Sequence, residues 1–297
     1  MLGISQYSIF KSASAFLCLL PYSCLARLAA VLGRLYYYFA PKQRNRAIEQ
    51  IKERFNLSQA EAEKVIHSSF IKLGMTFLEF MYMPNLNQEF VQKHIVFENK
   101  HYLDEAMAEG KGVIFVSGHY CNWEWFGAAV AILGTKVAHI IKKQPNDEHT
   151  RLLNEYRHMF GIETYASGTN EIVGAAKALK KGTLISFLVD QDAGKHEGIF
   201  VEFMGEMAST HIGPAVFAKK FKAPIVSGFI FRDQALDKLR VTFNQPFYFE
   251  DTGNEEQDIY NITLKINQII EQAIKARPDE WMWFKRRWDT PYVTNKN

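Results

Sequence analysis

One stretch of the chain holds residue types that could do acid–base chemistry at a spacing that could bring them together: Val113-Ile-Phe-Val-Ser-Gly-His-Tyr-Cys-Asn-Trp-Glu-Trp125. The imidazole of His119 can take up and return a proton near neutral pH, and a nearby carboxylate can fix its tautomer and stabilise its charged form. Glu124 follows five residues later. On one continuous helix the two would point about 140° apart, because each residue turns about 100°. A bend between them removes that obstacle.

The residues around the pair predict such a bend. Val113 to Val116 are apolar and mostly β-branched, which suits a buried strand. Ser117-Gly118 interrupts that run, and Asn122 is a suitable helix N-cap with Trp123, Glu124 and Trp125 in the first turn behind it. Strand, turn and helix would let Glu124 fold back on the His119 ring. Asn122 could also donate to an oxyanion, with capping as its plainer role. Cys121, two residues after His119, also invites a Cys–His nucleophile reading.

A second polar cluster, Asp190-Gln191-Asp192, ends the apolar run Thr183 to Val189. Ligands in open α/β sheets bind at that edge of the strands. Asp190 and Asp192 could hold loop backbone or a basic residue, and two acids without further ligands are weak grounds for a metal. Strand-like runs alternate with helical ones through the chain, which predicts an α/β fold with a mainly parallel sheet covered on both faces. Ser58 and Glu61 form a capping box for a helix carrying Ile66, Phe70, Leu73 and Phe77. Residues 193–209 read as loop, Thr210 as the N-cap of a helix from Gly213 to Phe221, and Pro278 to Trp288 as a C-terminal segment.

Composition sets the remaining bounds. The 297 residues, 47% of them hydrophobic, can bury a sizeable core. A net charge of +3 does not indicate a nucleic-acid binder. Three cysteines without ligand spacing favour a reducing compartment, and no metal-ligand pattern occurs. Residues 1–40 stand apart. The uncharged run Ser12 to Ala26 is divided by Pro21 and is short of the roughly 18 to 20 apolar residues that span a bilayer unaided. Leu25 to Phe39 carries only Arg27 and Arg34, with Leu28, Val31, Leu32, Leu35, Tyr36 and Phe39 available for burial, and a basic strip from Lys42 follows. That suits a helix at an anionic membrane surface, where each basic residue contributes about 1 kcal/mol. A helical hairpin packed on the domain is the alternative. The expected division is a membrane-associated segment, 1–40, and an α/β domain, 41–297.

Three ordered blocks together resemble one family. Gly118-His119-x-x-Asn122-Trp123-Glu124 is similar to its His-x4-acid block. Asp190-Gln191-Asp192-x-Gly194 with Phe200-Val201-x-Phe203-x-Gly205-x-x-Ala208-x-Thr210-x-x-Gly213 resembles its second signature. Pro278-Asp-Glu-x-Met282-Trp283-x-x-Arg286-Arg287 resembles its C-terminal block. The family is the late acyltransferases of lipid A biosynthesis, within the lysophospholipid and glycerolphosphate acyltransferase superfamily. The resemblance implies an inner-membrane enzyme at the cytoplasmic face. It would move a fatty acyl chain from acyl carrier protein, or from coenzyme A, to a hydroxyl of a lipid A precursor, with no cofactor beyond the donor's phosphopantetheine. His119 would be the general base and Glu124 its orienting partner. Asn122, Lys143, Arg157, Asp190, Asp192, Thr210, Arg286 and Arg287 are the substrate-contact candidates, the cationic ones for phosphate. Lys142-Lys143 stands where the family pattern has an arginine, which leaves Arg157 as the arginine of that block. A lysophospholipid or lyso-aminolipid acceptor would share the catalytic block, a thioesterase would use the same base on water, and a silent lipid-binding relative would not need the pair.

Overall fold

The computed structural model describes residues 5–142 and 146–293. Four helices come first: α1 (Gln6–Leu17), α2 (Tyr22–Phe39), α3 (Pro41–Phe55) and α4 (Gln59–Met81). The capping box at Ser58 and Glu61 is present, and Asn56 in the left-handed region (φ 50°) breaks α3 from α4. A 3-10 turn over Met83–Asn85 leads into α5 (Gln88–His94) and β1 (Ile95–Glu98). Then follow α6 (Lys100–Ala108), β2 (Val113–Ser117), α7 (Trp123–Ile132), β3 (Val137–Ile141), α8 (Asp147–His158), β4 (Glu163–Ala166), α9 (Ile172–Lys180) and β5 (Leu184–Leu188). The chain finishes with β6 (Gly198–Phe203), β7 (Glu206–His211), α10 (Gly213–Phe221), β8 (Ile225–Arg232), β9 (Leu239–Phe243), α11 (Glu255–Ala276) and a 3-10 turn at Pro278–Glu280.

Seven strands form one sheet in the order β1-β9-β8-β2-β5-β3-β4, parallel throughout except for the β8–β9 pair. This is the expected α/β architecture. All five residues of β2 are buried, as a parallel strand covered on both faces requires. Central β2 and its neighbour β5 run in the same direction, with Ser117 beside Leu188. The residues after both strands therefore emerge side by side at one edge. The connection after β2 leads to β3, on the β5 side, whereas the chain after β5 returns to β8, on the other side of β2. A reversal of this kind opens a crevice at the carboxyl ends of the strands.

Two expectations are corrected. Against the loop expected for residues 193–209, Gly198–Phe203 and Glu206–His211 form the antiparallel β6–β7 hairpin. Its turn places Met204 (φ 51°) and Gly205 (φ 80°) both in the left-handed region, the twist that two-residue hairpins need. A methionine there gives no turn signal. Thr210 lies in that hairpin, so the residue flanking α10 at its start is Ile212.

The N-terminal helices also differ from expectation. It is the small residues of α2 (Ala26, Ala29, Ala30 and Gly33), together with Tyr22 and Leu25, that are buried. Gly33 lies so close to α4 that a Cβ there would meet the Phe70 carbonyl oxygen at 2.4 Å, and a Cβ on Gly74 would meet the Ala29 carbonyl at 2.6 Å. Backbone-to-backbone packing turns the large residues outward: Leu28, Val31, Leu32, Leu35 and Tyr36 are exposed, and Phe39 is 81% exposed. Among the described residues no helix is long and apolar enough to cross a membrane. In α1, Lys11 and Tyr7 bond Glu155, Tyr7 N donates to Glu148, and Ser14 bonds Met81 O and receives Tyr156, so residues 6–17 are tied to α8 and α4.

The close crossing makes a direct prediction. Gly33→Ala forces a methyl into the α4 backbone, an overpacking cost of about 1–3 kcal/mol, and lowers the midpoint of thermal unfolding by several degrees. A midpoint equal to wild type would refute this packing of α2.

Candidate active site

His119 follows β2, and Asp190 follows β5. Their strands are neighbours, and the two residues meet. His119 Nδ1 lies 2.7 Å from Asp190 Oδ1, and the His119 backbone N–H donates to Asp190 Oδ2 at 2.7 Å. Trp281 Nε1–H donates to the same Oδ2, also at 2.7 Å. The carboxylate sits over Gly118, where a Cβ would come within 3.0 Å of Oδ2. Only glycine leaves it that room. Burial opposes the charge of Asp190, yet the His119 ring, Trp281 and the His119 backbone hold its carboxyl below the usual range.

This pairing fixes the histidine. With Nδ1–H donating to Asp190, Nε2 keeps its lone pair, as a base requires. Gln191 Nε2 stands 3.1 Å from that nitrogen, and the Trp123 ring packs edge-on at 4.9 Å between centroids.

Glu124 has a different partner from the one expected. Its carboxylate receives Arg157 through Nε at 2.9 Å and Nη2 at 2.5 Å, with Trp123 Nε1–H adding a third bond at 3.2 Å. It makes no bond to His119. The carboxylate that meets the His119 ring in this geometry is Asp190, and Glu124 forms a buried, bidentate pair with Arg157. Burial disfavours both charges, but the charge of Arg157 keeps the Glu124 carboxyl low, and that of Glu124 raises the guanidinium. Arg157 is thereby engaged by a carboxylate rather than open to phosphate.

The turn carrying His119 is braced from two directions. The backbone of Tyr120 bridges Trp281, Cys121 N–H donates to the Glu280 carbonyl at 2.8 Å, and Cys121 takes a left-handed φ of 47°. Burial raises the Cys121 thiol well above its ordinary range, which removes it as a nucleophile. Asn122 caps α7 by accepting from Trp125 N–H, and its amide donates to Glu79 Oε2 at 3.0 Å. Its amide oxygen is taken by the cap, one of its two N–H groups is taken by Glu79, and the side chain is fully buried. Glu79 is itself buried against Arg232, whose Nη2 lies 2.7 and 2.8 Å from its oxygens, and accepts from the Tyr22 hydroxyl of α2 at 2.6 Å.

The other substrate-contact candidates are placed as follows. Asp192 accepts from Gly194 N–H and from the Thr290 backbone and hydroxyl, which is loop bracing. Arg287 is buried. Its guanidinium donates to the Ser209 carbonyl and to Thr210 Oγ1, both at 2.5 Å, and stacks 4.7 Å from the Phe203 ring. Burial pushes it down to about 10 against the pull of Asp190 and Asp192. It locks the hairpin and does not reach solvent phosphate, and Thr210 belongs to the same lock. Arg286 is exposed and pairs with Asp289 at 3.0 Å. Lys143 lies outside the described residues.

Two cavities flank Trp123. One, about 590 Å³ including space open to solvent, lies between α7 and the sheet, with Trp123, Glu124 and Arg157 in a wall built largely from residues such as Phe115, Phe126, Val130, Leu184 and Phe243. Ser117, His139 and Ser186 add polar groups to that wall, and His139 Nδ1 lies 2.6 Å from Ser186 Oγ. The second, about 270 Å³, lies between α4 and the C-terminal segment and includes His119, Lys72, Thr76 and Glu280 in its wall. The sequence carried no local sign of His139–Ser186 or of Trp281–Asp190. Each bond spans separate elements.

The model of the family described as bacterial lipid A biosynthesis acyltransferase matches residues 4–290. The chain belongs to that family, and it is an acyltransferase. Among its relatives, the lipid A biosynthesis palmitoleoyltransferase of Escherichia coli (strain K12) is 24% identical over 273 residues, 91% of this chain and 87% of the relative. The lauroyltransferase of the same organism is 24% identical over 276 residues, 91% and 87% of the two chains. Its myristoyltransferase is 23% identical over 260 residues, 87% and 78% of the two. The His119 block, the Asp190 block and the Pro278 block all fall within the matched region.

The half-buried imidazole of His139 gives a test of the larger cavity. Burial, with help from the charge of Arg157, pushes His139 down to about 4, while Glu124 pulls the other way. A histidine depressed in the folded state contributes stability that is complete above its unfolded value of about 6.5 and is lost as pH falls toward the folded value. Denaturant midpoints measured at pH 7 and pH 5 are therefore expected to differ less in His139→Gln than in wild type. Equal differences would mean that His139 is not held low in the folded state.

Proposed function

We propose that this acyltransferase esterifies a hydroxyl of a lipid A precursor with a fatty acyl chain taken from a thioester donor, with His119 as general base and Asp190 as its orienting carboxylate. The observation that carries the reading is the His119–Asp190 pair, 2.7 Å apart, beside a large apolar chamber. His119 Nε2 accepts the hydroxyl proton as the oxygen attacks the thioester carbonyl carbon. The tetrahedral oxyanion collapses with cleavage of the C–S bond. The imidazolium returns its proton to the departing sulfur, leaving an ester and a free thiol. Gln191, beside Nε2, supplies an N–H for the oxygen that becomes negative. Lauroyl, myristoyl and palmitoleoyl transfer among the relatives supports a medium or long chain, which the chamber under α7 would hold out of water. Acyl carrier protein is the proposed carrier and coenzyme A the second; the reaction needs no metal or cofactor of the protein's own.

His119→Ala is expected to fold normally and lose at least the 10²–10⁴-fold that positioned general-base catalysis commonly contributes. Asp190→Asn should lower kcat with little change in donor KM. The assay is mass spectrometry of an under-acylated lipid A precursor incubated with acyl-thioester donor. Wild-type turnover by His119→Ala would sink the mechanism.

The enzyme is placed at the cytoplasmic face of the inner membrane by the same reading. Support comes from the outward stripe Leu28, Val31, Leu32, Leu35 and Phe39 on α2, with Arg27 and Arg34 on the same helix. Such a helix can lie in the interface without crossing it. Because the other face of α2 is buried in the core, exposed positions make a cleaner test than truncation. Leu32→Glu with Leu35→Glu should abolish co-sedimentation with vesicles containing anionic lipid while leaving the unfolding midpoint within a few degrees. Undiminished binding would reject the anchor.

A further inference from the structure

The smaller cavity holds a group that the acyl-transfer step leaves unused. Glu280 is buried, its side chain having no exposed surface. Its Oε1 accepts from Lys72 Nζ at 2.8 Å and from the Arg232 backbone N–H at 3.0 Å. Its Oε2 is buried with no hydrogen-bond partner. Leaving a buried carboxylate oxygen unpaired is costly, so such an atom calls for a donor from outside the chain. Glu280 forms part of the same cavity wall as His119, Lys72, Thr76 and Trp123.

The charge inventory narrows what that donor is. Lys72 already meets two carboxylates, Asp279 at 2.7 Å and Glu280 at 2.8 Å. Nearby Arg232 is matched by Glu79. Among the described residues of the wall, no cation is left over for a phosphate. What remains is hydrogen-bond-accepting capacity at one end, an apolar flank of Leu73, Met282 and Phe284, and the imidazole. This suits an amphiphile presenting an N–H or O–H next to its reacting hydroxyl. It does not suit the anionic end of a donor.

We propose that this cavity is the subsite for the hydroxyl acceptor, and that Glu280 Oε2 receives a hydrogen bond from an N–H or O–H of that acceptor, holding the reacting hydroxyl against His119. The assignment rests on the acyl-transfer reading. It puts the acceptor and the acyl chain on opposite sides of Trp123, which lines both cavities. Glu280 is a binding residue here, and the backbone bond from Cys121 to its carbonyl does not depend on the side chain.

The test uses the full-length enzyme in detergent micelles, an under-acylated lipid A precursor and an acyl carrier protein thioester, with each substrate varied in turn. In Glu280→Gln the amide can keep the bonds of Oε1 but turns an N–H toward the acceptor's donor. The acceptor KM should rise about tenfold, the scale of one hydrogen bond to a charged group, while the donor KM stays within twofold. Leu73→Trp, which fills the cavity from α4 without touching Glu280, should raise the acceptor KM in the same way and decides the matter if Glu280→Gln does not fold. An unchanged acceptor KM in either folded variant overturns the proposal. So does a loss that falls equally on both substrates together with a lowered unfolding midpoint, which is the mark of bracing alone. Failure of the underlying reading is separate, because wild type would then leave the precursor unacylated before any variant is made.

Discussion

A carboxylate taken out of water must have its charge met by hydrogen bonds and an opposite charge, and Asp190 sets that condition for the whole site. It collects the His119 ring, the His119 backbone and the Trp281 indole, three groups that arrive on two different parts of the chain. Each of these bonds constrains something else. The ring bond sets the tautomer. The backbone bond fixes where the chain leaves β2, and the indole bond draws the C-terminal segment over the sheet edge. Once Trp281 is held there, Tyr120 and Cys121 pair with Trp281 and Glu280, and the left-handed turn at Cys121 is closed from behind. The position of one buried charge thus accounts for the contact between the first and third sequence blocks.

A second buried charge does the same for the helices. Glu79 on α4 meets Arg232 at the end of β8, Tyr22 at the start of α2 and Asn122 at the cap of α7. Neither partner of such a pair can be removed without stranding the other, so four elements share one electrostatic requirement. This is why the N-terminal helices are part of the same body as the sheet, and why α2 presents its small residues inward. A close approach to α4 brings Tyr22 to Glu79. The bulky apolar residues of α2 are then left outside, where an interface rather than a core is the environment that suits them.

Much of this was legible in the sequence, and the division is instructive. The strand at Val113, the cap at Asn122 and the helix behind it are written in adjacent residues, and the structure has them where those residues indicate. The parallel sheet followed from alternation alone. Which carboxylate meets His119 did not, because Glu124 is near in sequence whereas Asp190 is near only once β2 and β5 pair. The burial of Arg287 was equally hidden: a basic residue in a C-terminal block reads as solvent-facing until a hairpin supplies Ser209 and Thr210 to bond it. That hairpin had only half a turn signal, since Gly205 suits its left-handed position and Met204 does not. Local signals were sound at the β2–α7 turn and failed at Thr210, whose place in a strand depends on a partner strand.

The pairing of Glu124 with Arg157 has a consequence for where substrates go. A buried ion pair contributes little net stability, since desolvation offsets much of the attraction. Its worth here is better sought in shape. The pair and Trp123 form one polar side of a wall around a largely apolar chamber, while His119 and Glu280 share the smaller cavity across Trp123. On the proposed reading a chain of methylenes gains by leaving water on the first side. The hydroxyl that must lose its proton gains hydrogen bonds on the second. On that reading the reacting carbon is confined to the narrow zone where the two sides meet, beside the edge of Trp123 and His119 Nε2. A sequence block that joins histidine, tryptophan and glutamate within six residues joins, in three dimensions, the base, the partition and the wall of the chamber behind it.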